Sequence, residues 1–351
     1  MNQDFFLSLL IATAISYLVT PLVIRFFVSR HWVEDPLRKQ LKTHNATALK
    51  PVPRGGGIAV FLSVFITSIL FLPLDRHLVA ILLAAFFTLL IGIIDDLYDL
   101  SPYLRLFTNL VAALIVVGFG IGIAYITNPF GGVVDLSHPR LDFNFFGPHS
   151  IWLLADLLAV LWIIWCTNIV GWAAGVEGQL PGFVSIAAIF IGILGLKYSA
   201  DISQWPVIVL SGAVAGGFLG FLPFNFYPQK IMPGYSGKSL AGFFLAIISI
   251  LSGAKLATLI FLLGLPMIDA VWVIIRRLGQ GKSIFHADGQ HLHHQLLKAG
   301  WSRPRIAVFY WLISLILGVV SLFLNSQQKF YALGGLAILF FGFTLKFSRR
   351  I

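Results

Sequence analysis

About eleven apolar stretches, most of them near the length that crosses a lipid bilayer, run through this chain and limit what it can fold into. They lie near residues 5–27, 56–74, 79–94, 104–126, 151–167, 183–196, 206–222, 240–251, 256–275, 306–324 and 331–347. Only 11% of the residues are charged, against about 25% in a soluble domain that must face water on all sides. Lipid is therefore the main solvent. The expected fold is an all-α integral membrane protein, a polytopic bundle of about 11 transmembrane helices, or 10 if one run is not a span. The chain reads as a single membrane domain over residues 1–351, with no internal repeat and no soluble module. The first stretch has no basic leader and no small-residue cleavage site, which predicts a retained helix rather than a signal peptide.

Charge sets the expected orientation. The connections holding Arg30, Arg38, Lys39, Lys42, Lys50 and Arg54, then Lys230 and Lys238, then Arg276, Arg277, Lys282, Lys298, Arg303 and Arg305, alternate with connections that are short or nearly uncharged. The positive-inside rule then places the N-terminus outside, and the C-terminus and the basic connections in the cytoplasm of a multi-pass cell-membrane protein. The net charge of +10 fits anionic headgroups as partner and not nucleic acid. The longest outer connection, 128–150, alternates apolar and polar residues and predicts a small external hairpin. Cys166 is the sole cysteine, which excludes an intrachain disulfide.

Polar chemistry gathers at the cytoplasmic connections rather than at mid-helix. Asp269, late in an apolar run, is the clearest exception. Asp95, Asp96 and Asp99 sit at the cytoplasmic end of the third stretch. Three acids at a helix C-terminus oppose the helix dipole. Carboxylates opposite a phosphate suit Mg²⁺, with Mn²⁺ as the alternative ion. The other reading is a solvated helix end. His291, His293 and His294 follow Asp288 in a cytoplasmic His-rich connection, 276–305; imidazoles can bind a diphosphate and stabilise a leaving group. A basic interfacial helix is the alternative there, and a zinc site lacks a further ligand. Pro53-Arg54-Gly55-Gly56-Gly57, preceded by His44 and Lys50, opens a helix with backbone N–H groups that suit an anion. Residues 168–182, with Asn168, Trp172 and Glu177, and residues 225–242, with Asn225, Lys230, Tyr235 and Lys238, read as polar, glycine-rich loops at the membrane edge. A plain turn is the alternative for the first, and the positive-inside signal itself for the second.

The order of these segments resembles the polyprenyl-phosphate N-acetylhexosamine-1-phosphate transferases. This is the MraY-like superfamily, glycosyltransferase family 4, and the match is to the branch that transfers N-acetylglucosamine phosphate. The resemblance spans about Asp35 to Arg305. It rests on Pro-Arg-Gly-Gly-Gly, on Gly-Ile-Ile-Asp-Asp-Leu-Tyr-Asp-Leu, and on the asparagine and glycines of 168–178. Asn-Phe-x-Pro-x-Lys-Ile and Asp-Gly-Gln-His-Leu-His-His complete the set. It implies transfer of a sugar 1-phosphate from a UDP-N-acetylhexosamine to undecaprenyl or another polyprenyl phosphate. UMP leaves, Mg²⁺ bridges the diphosphate, and the reaction is the first membrane step of a cell-envelope polysaccharide or glycan pathway. A homodimer is implied by the same resemblance. Asp95 and Asp96 become the acidic pair at the lipid phosphate or metal, and Asn168 approaches the metal. Lys230 and Asn225 belong to the loop beside it, and the three histidines face the diphosphate. The sequence departs from the pattern at Tyr235, where an aspartate holds the metal, at Gly171, Ala174 and Glu177 for an asparagine and two aspartates, at Gly289 for an arginine, and at Lys238 for a serine. These departures keep two other readings open: a non-catalytic relative that binds polyprenyl phosphate or nucleotide sugar, and a lipid-linked-sugar transporter.

Overall fold

The computed structural model describes residues 1–34, 51–144, 148–198, 200–253, 256–283 and 289–348. It is almost entirely helical: α1 (Asn2–Ser29), α2 (Gly56–Phe71), α3 (Arg76–Tyr98), α4 (Pro102–Gly118), α5 (Leu153–Trp172), α6 (Gln179–Lys197), α7 (Trp205–Asn225), α8 (Gly234–Leu251), α9 (Leu256–Leu262), α10 (Gly264–Gly279), α11 (Leu292–Lys298), α12 (Arg303–Ser321) and α13 (Ser326–Ser348). The all-α polytopic class is as expected, but the count of spans is lower. Among the described residues, seven helices are long and apolar enough to cross a membrane, or eight when α9 and α10 count as one bent span. Two expected spans fall short: α2 has 16 residues and α4 has 17, about 24–26 Å of helix against a hydrocarbon core of about 30 Å. The stretch 256–275 is broken, its halves meeting at 82°.

α8 is the axis of the bundle. It packs against α2, α3, α5, α6, α7 and α9. Of its most apolar window 83% is buried, which is what a helix apolar on every face requires. Close approach is made by small residues, as packing between membrane helices demands. Gly242 of α8 meets the backbone of Cys166 and Thr167 on α5, and Gly92 of α3 meets Ser236. On α7, Gly212, Gly216 and Gly220 form a stripe at four-residue spacing against α1. A methyl there would overlap Ser8 and the backbone of Phe5, Leu9 and Thr13.

At one end of the bundle, residues 125–152 hold two antiparallel ribbons. β3 (Tyr125–Thr127) pairs with β4 (Val133–Asp135), and β5 (Arg140–Asn144) with β6 (Pro148–Trp152). At the other end, the short ribbon β1 (Val33–Glu34) with β2 (Val52–Pro53) leads into α2. Here also lie the start of α8, the end of α3 and the turns 173–178 and 226–233.

Candidate active site

The polar turns read from the sequence are shorter than expected, because the helices run further into them. α5 continues to Trp172, so Asn168 is inside a helix and its Nδ2 donates to the carbonyl of Ile164 at 2.8 Å. α7 continues to Asn225 and α8 starts at Gly234, so Tyr235 and Lys238 stand on the first turns of a helix rather than in a loop. Apolar packing of α5 and α7 outweighs the glycines and asparagines that mark a turn.

Between these helix ends lies an open cleft, about 510 Å³ when the space out to its mouth is counted. Arg54, Glu34, Glu177, Asn225, Gln229 and Lys238 give it polar walls; Ala174, Gly175, Pro233 and Gly234 bring backbone to its surface. Gly234 has φ +69°, and a side chain there would overlap Asp96 and the carbonyl of Arg54.

The acids do not stand together on one face. Asp95 is fully buried; its Oδ1 accepts from Arg105 Nε on α4 and from the N–H of Leu100, and its Oδ2 has no partner among the described residues. Asp96 is buried too and caps the start of α8. It accepts from the Tyr235 N–H at 2.6 Å, the Ser236 N–H at 3.3 Å and the Ser236 hydroxyl at 2.7 Å, with Arg54 Nε 3.4 Å away. A carboxylate at a helix N-terminus satisfies donors that have no intrahelical partner. Asp99 is the left-handed C-cap of α3 rather than a further helical turn, so it does not share a face with Asp95; it accepts from Arg54 Nη1 at 2.9 Å. Arg54 also lies 3.3 Å from Glu34. Burial works against the Arg54 charge, but Asp96, Glu34 and Asp99 outweigh it, so the guanidinium pKa is raised.

On the other wall, Arg303 donates to both oxygens of Glu177, at 2.9 and 3.0 Å. Asn225 accepts from the Gly178 N–H at 3.0 Å and donates to the Ile231 carbonyl at 2.9 Å, which ties the two turns together. Lys230 is exposed and does not line the cleft.

Behind Gly175 stands the histidine cluster. A methyl on Gly175 would overlap the His293 ring. His293 stacks on His291 with centroids 5.7 Å apart and touches His294 at 4.2 Å. Burial, then the charges of His294, His291 and Lys238, hold the His293 pKa well below its ordinary value, so it stays neutral. His291 is the N-cap of α11, which begins at Leu292. Asp269 explains both this cap and its own place in an apolar run. Its Oδ1 accepts from the Leu292 N–H at 2.9 Å, and its Oδ2 lies 2.8 Å from His291 Nδ1. An ionised carboxylate there makes Nδ1 the donor and leaves Nε2 open.

The tyrosine at position 235 turns from the cleft. Arg105 lies over its ring at 5.0 Å, and its hydroxyl donates to Asn109 at 3.4 Å. The expected metal therefore meets a donor set that does not fit it. Asp95, Asp96, Asp99, Glu34 and Glu177 each already bind a guanidinium, and Asn168 is turned back onto its own helix. Among the described residues no three His, Cys, Asp or Glu side chains group as a metal site needs. His44 and Asp288 lie outside the described residues.

Sequence reasoning missed Glu34, Arg105, Asn109 and Gln229 in this region. Arg105, a lone cation inside an apolar helix next to an acidic cluster, was the signal that could have been read. Glu34 and Gln229 carried none.

The model for glycosyl transferase family 4 matches residues 78–253. A probable undecaprenyl-phosphate N-acetylglucosaminyl 1-phosphate transferase of Bacillus subtilis (strain 168) is 29% identical over 324 residues, which cover 90% of this chain and 84% of that protein. A decaprenyl-phosphate N-acetylglucosaminephosphotransferase of Mycobacterium leprae is 29% identical over 79% of this chain and 75% of its own length. A phospho-N-acetylmuramoyl-pentapeptide-transferase of Bacillus subtilis (strain 168) is 25% identical over 93% of this chain and 99% of its own.

Proposed function

The chain belongs to glycosyl transferase family 4 as a membrane-embedded enzyme, and on that premise we propose that it transfers N-acetylglucosamine 1-phosphate from a UDP-sugar to undecaprenyl or a similar polyprenyl phosphate. The observation that carries this reading is the meeting, in one cleft at one end of an apolar bundle, of Arg54, Lys238 and backbone-rich turns, with the histidine cluster packed behind Gly175 of the cleft wall rather than lining it. Anionic phosphates are held by cations and glycine-presented N–H groups, and a lipid substrate reaches such a site from the surrounding bilayer. The relatives named for N-acetylglucosamine phosphate transfer to undecaprenyl and decaprenyl phosphate support the sugar and the acceptor.

In this reading an oxygen of the lipid phosphate attacks the sugar-side phosphorus of the donor. The bond from that phosphorus to the bridging oxygen breaks, and the oxygen leaves with UMP. Phosphoryl transfer is mostly positioning and charge stabilisation. Lys238 and Arg54 meet the diphosphate. His291, held at Nδ1 by Asp269, and His294 supply further hydrogen bonds on the leaving side. His293, buried and neutral, is the wall that spaces them. Asp96 sets the start of α8, and so the position of Lys238. The basic connections support a cytoplasmic position for this end of the bundle, where nucleotide sugars are made.

The test is UMP release by the purified protein in detergent, given undecaprenyl phosphate and a panel of UDP-sugars. UMP is expected only when lipid phosphate and the N-acetylglucosamine donor are both present. UMP with a different hexosamine would reassign the sugar. No UMP with any donor, while a related enzyme works in the same assay, would contradict the reading.

A further inference from the structure

We propose that the cleft binds the diphosphate of its nucleotide substrate without a divalent metal ion, with Lys238 supplying charge that an ion would otherwise bring. The inference rests on the reading of the cleft as the donor site.

Three observations carry it. First, among the described residues Asp96 and Glu177 are engaged, while Asp95, held by Arg105 at one oxygen, does not line the cleft. A magnesium ion takes one or two carboxylates besides phosphate oxygens and water. Here Asp96 is bound by Arg54, two backbone N–H groups and a hydroxyl. Glu177 is bound at both oxygens by one guanidinium. A metal ion at either carboxylate would have to displace these donors, and at Asp96 it would also uncap α8. Second, the cleft wall is short of acids where a metal was expected. Position 174 lines the cleft as alanine, and position 235 sends a phenol out of it to Arg105 and Asn109. Third, a cation has entered. Lys238 lines the same cleft from the second turn of α8, with its Cβ 3.8 Å from where a methyl on Gly171 would stand. Two aspartates and an Mg²⁺ carry no net charge between them; alanine, tyrosine and lysine carry +1. The substrate anion is thus met by at least as much positive charge with no ion present.

Two measurements on the purified full-length chain decide it: Mn²⁺ titration followed by electron paramagnetic resonance, and UDP binding by calorimetry in EDTA and in Mg²⁺. No stoichiometric Mn²⁺ is expected, and UDP affinity should differ less than about two-fold between the two conditions. Lys238→Met should weaken UDP about ten-fold, near 1.4 kcal/mol, and Lys238→Arg should restore most of it. One Mn²⁺ bound per chain, UDP binding about ten-fold tighter in Mg²⁺, or full affinity in Lys238→Met would each overturn the inference. If UMP release is intact in that case, the transferase reading survives and the metal-free inference alone falls. No UDP binding in either condition would overturn both.

Discussion

Asp269 does two things at one point: it caps α11 through the Leu292 N–H and it holds Nδ1 of His291. A carboxylate that fixes an imidazole's tautomer and direction acts on the reaction through it. Asp269→Asn keeps an acceptor for the cap but loses the charge beside the ring. Its kcat should fall about 10²-fold with the UDP-sugar KM little changed, and Asp269→Glu should recover part of it. Steady-state kinetics of UMP release checks this; a loss confined to KM would mean that Asp269 serves binding alone. His293 gives a pH prediction. Its folded pKa is depressed by burial and by the charges of His294, His291 and Lys238, while in the unfolded chain it titrates near about 6.5. Below that pH the unfolded chain takes up a proton that the native protein refuses, so stability present above about 6.5 is lost as pH falls toward the folded value. Thermal unfolding of the wild type between about pH 7.5 and 5.5 should therefore show a steeper loss than that of His293→Gln. Equal slopes would remove His293 from the account. Among these residues, only the histidines and Asp269 stood out in the sequence. Their pairing did not, because 22 residues separate Asp269 from His291 and no local pattern encodes that contact.

At the scale of elements, the sequence showed nearly every helix and misjudged their ends. Each of its apolar stretches contains a helix, because in lipid the backbone must satisfy its N–H and C=O groups within the segment. The ends of α5 and α7 ran past Asn168 and up to Asn225, since tertiary packing outweighs turn propensity at a helix end. The three carboxylates of 95–99 were seen as one cluster. Asp95 instead turns to α4, Asp96 to α8 and Asp99 to the chain before α2, a division that depends on which helices neighbour α3. The glycine stripe of α7 lets α1 approach within backbone contact. Gly216→Leu should push the two apart and destabilise the fold by about 1–3 kcal/mol, read as a lowered Tm in detergent. An unchanged Tm would mean that α1 is held elsewhere, with the stripe playing no part.

Over the whole molecule, the arrangement is an apolar bundle whose axis, α8, begins in the cleft and is buried for most of its length. Because α8 touches most of the other spans, the position of Lys238 is fixed by the bundle as a whole. A soluble nucleotide sugar and a lipid phosphate can meet only at such a boundary, where a polar cleft opens at a helix end beside the bilayer. The central claim is that the group which crosses from one to the other is the sugar together with its phosphate. The direct test is a donor labelled with ³²P on the sugar-side phosphate, incubated with the protein and undecaprenyl phosphate and then partitioned into organic solvent. The account predicts label in the lipid phase and unlabelled UMP in water. Label remaining in water as UDP, with sugar alone on the lipid, would contradict it.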